Sequence, residues 1–111
     1  DNTGLAVILN NLGVIYARMN KTDEALKLYT ESEKILTEAD DINDLAFTLN
    51  NVASLYIDLK DYDKALNYGI KAMQLSRKTG FPDQVKYAAN TLRKIYRQKG
   101  DFKKESLFSS Q

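Results

Sequence analysis

The chain has 111 residues, a formal net charge of +1, 43% hydrophobic and 28% charged residues, and neither cysteine nor histidine. That balance suits one ordered domain and excludes a disulfide scaffold and any general electrostatic pull toward nucleic acid or a membrane surface. Without His and Cys the commonest general base, nucleophile and metal ligands are missing, and there is no Gly-rich phosphate loop, so neither catalysis nor a cofactor is expected.

The first element is marked by Leu5, Ile8, Leu9, Leu12, Ile15, Tyr16 and Met19, spaced as one face of a helix, which predicts a buried stripe. The stretch NKTDEA (20–25) breaks the pattern. Ala25, Leu26, Tyr29, Ser32, Ile35, Leu36 and Ala39 then resume it as a second helix. A third helix is predicted from about Asn43 to Leu59 and a fourth from Tyr62 to Thr79. Gly80 suits a left-handed C-cap, and Pro82 opens a fifth helix where a missing N–H costs nothing. Asp61 and Asp101 stand where N-caps are wanted. The last helix starts near Phe102 and has lost its periodicity by Ser109. No apolar run approaches the length of a membrane span and no signal-peptide pattern opens the chain, so no membrane contact is expected within this segment. A start at Asp1 rather than Met reads as a fragment of a longer array.

The chain repeats itself. Residues 1–40 laid over 41–80 give ten identities: Asp1, Leu5, Ala6, Leu9, Asn10, Asn11, Tyr16, Asp23, Ala25 and Leu26, each with its twin. Residues 81–111 form a third unit, shorter and more diverged. Two helices per unit predict an all-α solenoid of stacked helical hairpins in a single domain. Small residues in register, Gly13 with Ala25 and Ala53 with Ala65, are expected to let the helices of a hairpin approach closely.

The register of Leu9, Leu12, Gly13, Tyr16, Ala25 and Tyr29, matched by Leu49, Val52, Ala53, Tyr56, Ala65, Gly69 and Ala72, resembles the tetratricopeptide repeat signature over the whole chain. The resemblance implies a right-handed superhelix of antiparallel hairpins and a non-catalytic protein-interaction module. The usual unit is about 34 residues. The longer unit here is similar to that of kinesin light chains, spindle-orientation adaptors, and bacterial peptide receptors and sensor regions. That subset implies a protein or peptide partner, and a bacterial sensor input region is the most specific context it suggests.

The two walls of such a solenoid differ in composition. Opposite their core stripe the second helices carry Lys27, Thr30, Glu31, Lys34 and Glu38, then Asn67, Lys71, Gln74 and Lys78, an ordinary solvated face. The first helices carry Val7, Asn10, Asn11, Val14 and Arg18, then Phe47, Asn50, Asn51, Ser54 and Asp58, then Tyr87, Asn90, Thr91, Lys94 and Gln98. This face is short of charge and supplied with aromatic and amide groups. An amide offers one acceptor and two donors, enough to pair with both the N–H and the C=O of an extended peptide. Asn10, Asn50 and Asn90, one per unit, are therefore candidates for a ladder along a peptide backbone, and similar ladders serve the long-repeat relatives. The alternative is that Asn10 and Asn50 bond a neighbouring helix and fix the stacking. With them, Asn11, Val14, Phe47, Asn51, Ser54, Tyr87 and Lys94 make up the candidate binding wall. The family's carboxylate clamp would fall at Asn10, Val14, Asn51, Tyr87 and Thr91, where only Asn51 conforms, so a chaperone C-terminus is not the expected ligand.

Three weaker signals remain. The acidic run EADDINDL (38–45) fails the EF-hand spacing and reads as a helix-capping loop. Seven basic residues between Phe81 and Lys104 read as a solvated face, with an acidic ligand segment or nucleic acid as alternatives. In the third unit the close-contact pair becomes Arg93 and Glu105, which predicts an ion pair in a splayed terminal hairpin. Leu107 and Phe108 are left with half a partner surface, which suggests end-to-end self-association. A structural role, the repeats stacking on more repeats or on a second copy, is the alternative to ligand binding.

Overall fold

The computed structural model describes residues 2–109 as six α-helices; Asp1, Ser110 and Gln111 lie outside the described residues. They are α1 (Asn2–Arg18), α2 (Thr22–Glu38), α3 (Ile42–Asp58), α4 (Tyr62–Thr79), α5 (Pro82–Gln98) and α6 (Phe102–Phe108). Turns of two or three residues fold them into the hairpins α1–α2, α3–α4 and α5–α6. The hairpins stack α2 on α3 and α4 on α5, leaving α1, α3 and α5 side by side as one wall. The arrangement is an all-α solenoid. No helix among the described residues is long and apolar enough to cross a membrane.

One device makes the turns. A residue in the left-handed region recurs every twenty positions: Asn20 (φ 60°), Asp40 (54°), Lys60 (61°), Gly80 (74°) and Gly100 (75°). After it the chain reverses, and the N–H groups of Lys21, Asp41, Asp61 and Asp101 donate back to the carbonyls of Tyr16, Leu36, Tyr56 and Tyr96 at 2.9–3.0 Å. That six-to-one closure satisfies carbonyls that the ending helix leaves open. The carboxylates of Asp41, Asp61 and Asp101 then accept from the N–H groups of Asp44, Lys64 and Lys104 at 3.1–3.3 Å. Each of these aspartates closes one helix and caps the next. The acidic 38–45 loop contributes its capping residue, Asp41, in this way.

The core is small-residue rich. Ala65, Met73, Ala88, Ala89, Leu92, Ile95 and Tyr96 form one buried cluster, and Ala25, Tyr29, Val52 and Leu55 another. Gly13 does make a close approach, but toward Tyr29 rather than Ala25: every atom nearest to a Cβ built at Gly13 belongs to the Tyr29 ring. One unit on, the pair is Ala53 and Gly69, and the room left at Gly69 is taken by Leu92 and Ile95 of α5.

Two expectations are corrected. Of the stripe on α1 that the sequence predicts to be buried, Leu5, Ile8, Leu12, Ile15 and Met19 are exposed; α1 buries Ala6, Asn10 and Gly13 instead. On the matching stripe of α3, Thr48, Val52 and Leu55 are covered by α2 while Leu59 stays exposed, and among the described residues no helix lies on that side of α1. At the other end, Glu105 pairs with Arg97 rather than Arg93. Arg97 Nε and Nη2 both approach Glu105 Oε2 at 2.8 Å, because the seven-residue α6 places Glu105 one turn further along α5. Phe108, expected to keep half a partner surface, stacks on Tyr96 of α5 with ring centroids 5.9 Å apart.

Candidate interaction wall

Each first helix turns a polar and aromatic line toward the wall because its small residues, Ala6 and Gly13, Ala46 and Ala53, Ala88 and Ala89, are used up in packing. The wall holds two open cavities. One of about 240 Å³ lies between α1 and α3, lined by Val7, Asn10, Asn11, Leu36, Asp44, Phe47 and Thr48. The other, about 180 Å³, is lined by Val14, Ala17, Arg18, Tyr29, Asn51, Ser54, Leu55, Asp58 and Tyr87. The exposed ring of Phe47 bridges toward the third unit, its centroid 5.7 Å from that of Tyr87 at a tilt of 53°.

The amides divide into two groups. Asn10, Asn50 and Asn51 are buried, so Asn10 and Asn50 do not present free amides to a ligand. Asn51 Nδ2 donates to Asn10 Oδ1 at 3.0 Å, and the Tyr87 hydroxyl donates to Asn51 Oδ1 at 2.6 Å. This chain of bonds ties α1, α3 and α5 together and takes up one of the three expected rungs, Asn10, through Asn51 rather than Asn50. Asn50 Oδ1 is buried with no hydrogen-bond partner. Asn90 and Lys94 are exposed on α5 and line neither cavity, whereas Asn11 and Phe47 are exposed at the first cavity and Val14, Ser54 and Tyr87 are half-buried at the second. All nine outer-wall residues named on α2 and α4 are exposed.

The sequence reading did not include Leu36, Thr48 and Tyr29 in the wall. They sit at core register and reach its floor edge-on, with no signal in the residues to separate floor from core. The electrostatics are those of a partly dry surface. Burial, and after it the neighbouring Asp41, hold the Asp44 carboxyl above the ordinary carboxylate range. Burial raises the Tyr87 phenol, outweighing a hydrogen bond with Ser54 that lowers it. Burial pushes the Tyr29 phenol up to about 12, with a smaller opposing effect from Arg18. A surface of this kind offers apolar recesses beside fixed donors and acceptors, which suits holding a chain segment.

Residues 44–107, more than half of the chain, and residues 5–34 match the tetratricopeptide repeat family. Among solved structures, BtubC (BKLC) from P. vanneervenii is similar, with a TM-score of 0.85 and 25% sequence identity. The match covers 95% of this chain and 44% of that one, so the chain spans less than half of that structure's length. No curated protein sequence matches the chain.

Proposed function

Because the chain belongs to the tetratricopeptide repeat family, whose repeats mediate protein–protein interaction, we propose that it binds an extended peptide or protein segment along the wall of α1, α3 and α5. The supporting observation is the apolar recess between α1 and α3, where exposed Phe47 and Val7 stand beside Asn11 and Asp44. A side chain of the bound segment would fill the recess while Asn11, Ser54 and Lys94 meet polar groups along it. Asn90 extends this line, and Asn10 and Asn51 serve it from behind by fixing the helices. An input region of a bacterial regulator is the context proposed from resemblance alone; a kinase or DNA-binding domain in adjoining sequence would support it.

Panning a library of random linear peptides on the domain tests the reading. Selected peptides should lose about tenfold or more in affinity on Phe47→Ala or Asn11→Ala and keep it on Lys34→Ala. Peptides that bind all three variants equally would overturn it. A second reading, contact between copies of the chain through an uncovered end, is favoured by the exposed apolar stripe on α1.

A further inference from the structure

The recess between α1 and α3 is apolar with one acidic corner. Val7, Leu36 and Phe47 supply its apolar surface, and Asp44 stands one helical turn before Phe47 on the same side of α3. All of its walls belong to two units that the chain itself contains.

The turns of the chain show what normally faces a carboxylate at this position. Three residues after the capping Asp61 and Asp101 come Lys64 and Lys104, each with its Nζ 3.9 Å from the cap carboxylate. The same two ammonium groups lie 5.6 Å and 5.7 Å from the ring centroids of Tyr56 and Tyr96. Twice, then, the chain seats a cation of its own between a carboxylate and an aromatic face. Three residues after the capping Asp41 comes Asp44 instead. Two carboxylates stand where the other turns pair a carboxylate with an ammonium, and among the described residues neither enters an ion pair.

The surrounding helices do not supply the missing cation. The only charged residue of α1 is Arg18, at its far end, and the last turn of α2 carries no basic residue. On α5 the position that matches Asp44 is Gln84, whose amide nitrogen donates to the Asn43 carbonyl at 2.9 Å. A carboxylate has no such hydrogen to give. An acid in the first turn of a helix ordinarily gains from the helix N-terminus, which lowers its pKa. Asp44 is held above the usual range instead, first by burial and then by Asp41. A metal ion is not the fit, because among the described residues no three groups of metal-ligating type gather anywhere.

Resting on the peptide-binding reading above, we propose that this recess takes a lysine or arginine side chain of the bound segment. The methylene stem lies on Val7 and Leu36, and the cationic head reaches the Asp44 carboxylate beside the exposed ring of Phe47. The ligand supplies the charge that Lys64 and Lys104 supply in the other turns. Asp44 is then the residue that selects a basic anchor over an apolar one.

The probes are three libraries of short capped peptides, random except for a central lysine, leucine or glutamate, with retention on the immobilised domain as the readout. The parent should retain the lysine library about fivefold better than the leucine library, and the glutamate library least. Asp44→Asn should erase the lysine preference while its thermal melt stays close to the parent's. Raising salt from about 0.05 M to about 1 M should shrink the preference on the parent, a measurement that needs no variant. A leucine library retained as well as the lysine library overturns the inference and leaves peptide binding intact, with an apolar anchor in the recess. A lysine preference that survives Asp44→Asn overturns it as well, and its loss on Asp58→Asn would place the cation at the second cavity. Retention of no library above a blank surface overturns the peptide-binding reading itself, and this inference with it.

Discussion

Asn51 donates its amide hydrogen to Asn10 Oδ1 at 3.0 Å across a sequence separation of 41 residues, joining the first helices of two units. The same Asn51 accepts the Tyr87 hydroxyl from the third unit. A central amide that uses both its ends is worth more than either bond alone, because its loss strands buried Asn10 and half-buried Tyr87.

Asn51→Ala should therefore destabilise the fold by about 1–3 kcal/mol, read from urea unfolding. Asn50→Ala removes an amide of the same size whose oxygen already lacks a partner, and should cost clearly less. An equal or larger loss at Asn50 would mean that the Asn10–Asn51–Tyr87 chain does not hold the units together.

The fold was legible because its signals are periodic. Leu9 and Tyr16 recur forty residues later, and Gly80, Pro82, Asp61 and Asp101 all act as their residue types prescribe. The twenty-residue rhythm of Asn20, Asp40 and Lys60 was equally visible, but only Gly80 and Gly100 have the residue type that announces a left-handed turn. The wall was legible as a surface and not in its details. Which of two adjacent amides, Asn50 or Asn51, turns toward a neighbouring helix depends on a fraction of a helical turn. Periodicity has no such resolution. The α1 stripe misled for a related reason: an apolar period shows that a face is made to be covered, without showing which helix covers it.

Gly13 gives a sharper test of packing. A Cβ there would stand 2.5 Å from Tyr29 Cε1, and the Tyr29 ring is buried and cannot swing clear. Helix propensity alone would favour alanine by about 1 kcal/mol. Overpacking should reverse the sign, so Gly13→Ala is expected to destabilise by about 1–3 kcal/mol. In a Tyr29→Ala background the same change should cost little or stabilise. Thermal melts of the two singles and the double would show it; additive effects would exclude the contact.

Lys60 holds the left-handed position that glycine holds at 80 and 100, with φ of 61°. Its side chain is exposed, so little packing is at stake. Lys60→Gly relieves the Cβ strain at the cost of a more flexible unfolded chain, and should stabilise by about 0.5–1 kcal/mol. Gly80→Ala, the reverse change one turn on, should destabilise by about 1 kcal/mol. A fall in melting temperature on Lys60→Gly would contradict the turn geometry.

The Tyr29 phenol sets an alkaline limit on the fold. Burial is the main cause that raises it from 10.0 to about 12; Tyr87 and Asp58 add to the rise, and Arg18 opposes it. In the unfolded chain the phenol ionises near pH 10. Between about pH 10 and 12 the unfolded chain has lost a proton that the folded chain keeps, so stability falls as pH rises through that window. Below it this group contributes no slope. Tyr29→Phe removes the titrating proton and should flatten the decline, by about 1 kcal/mol when unfolding near pH 8 and near pH 11 is compared. Tyr68 and Tyr87 are raised as well, so some slope should remain in the variant. Urea midpoints at the two pH values provide the measurement. A variant that loses as much stability as the parent would show that Tyr29 ionises as freely in the folded protein as in the unfolded one.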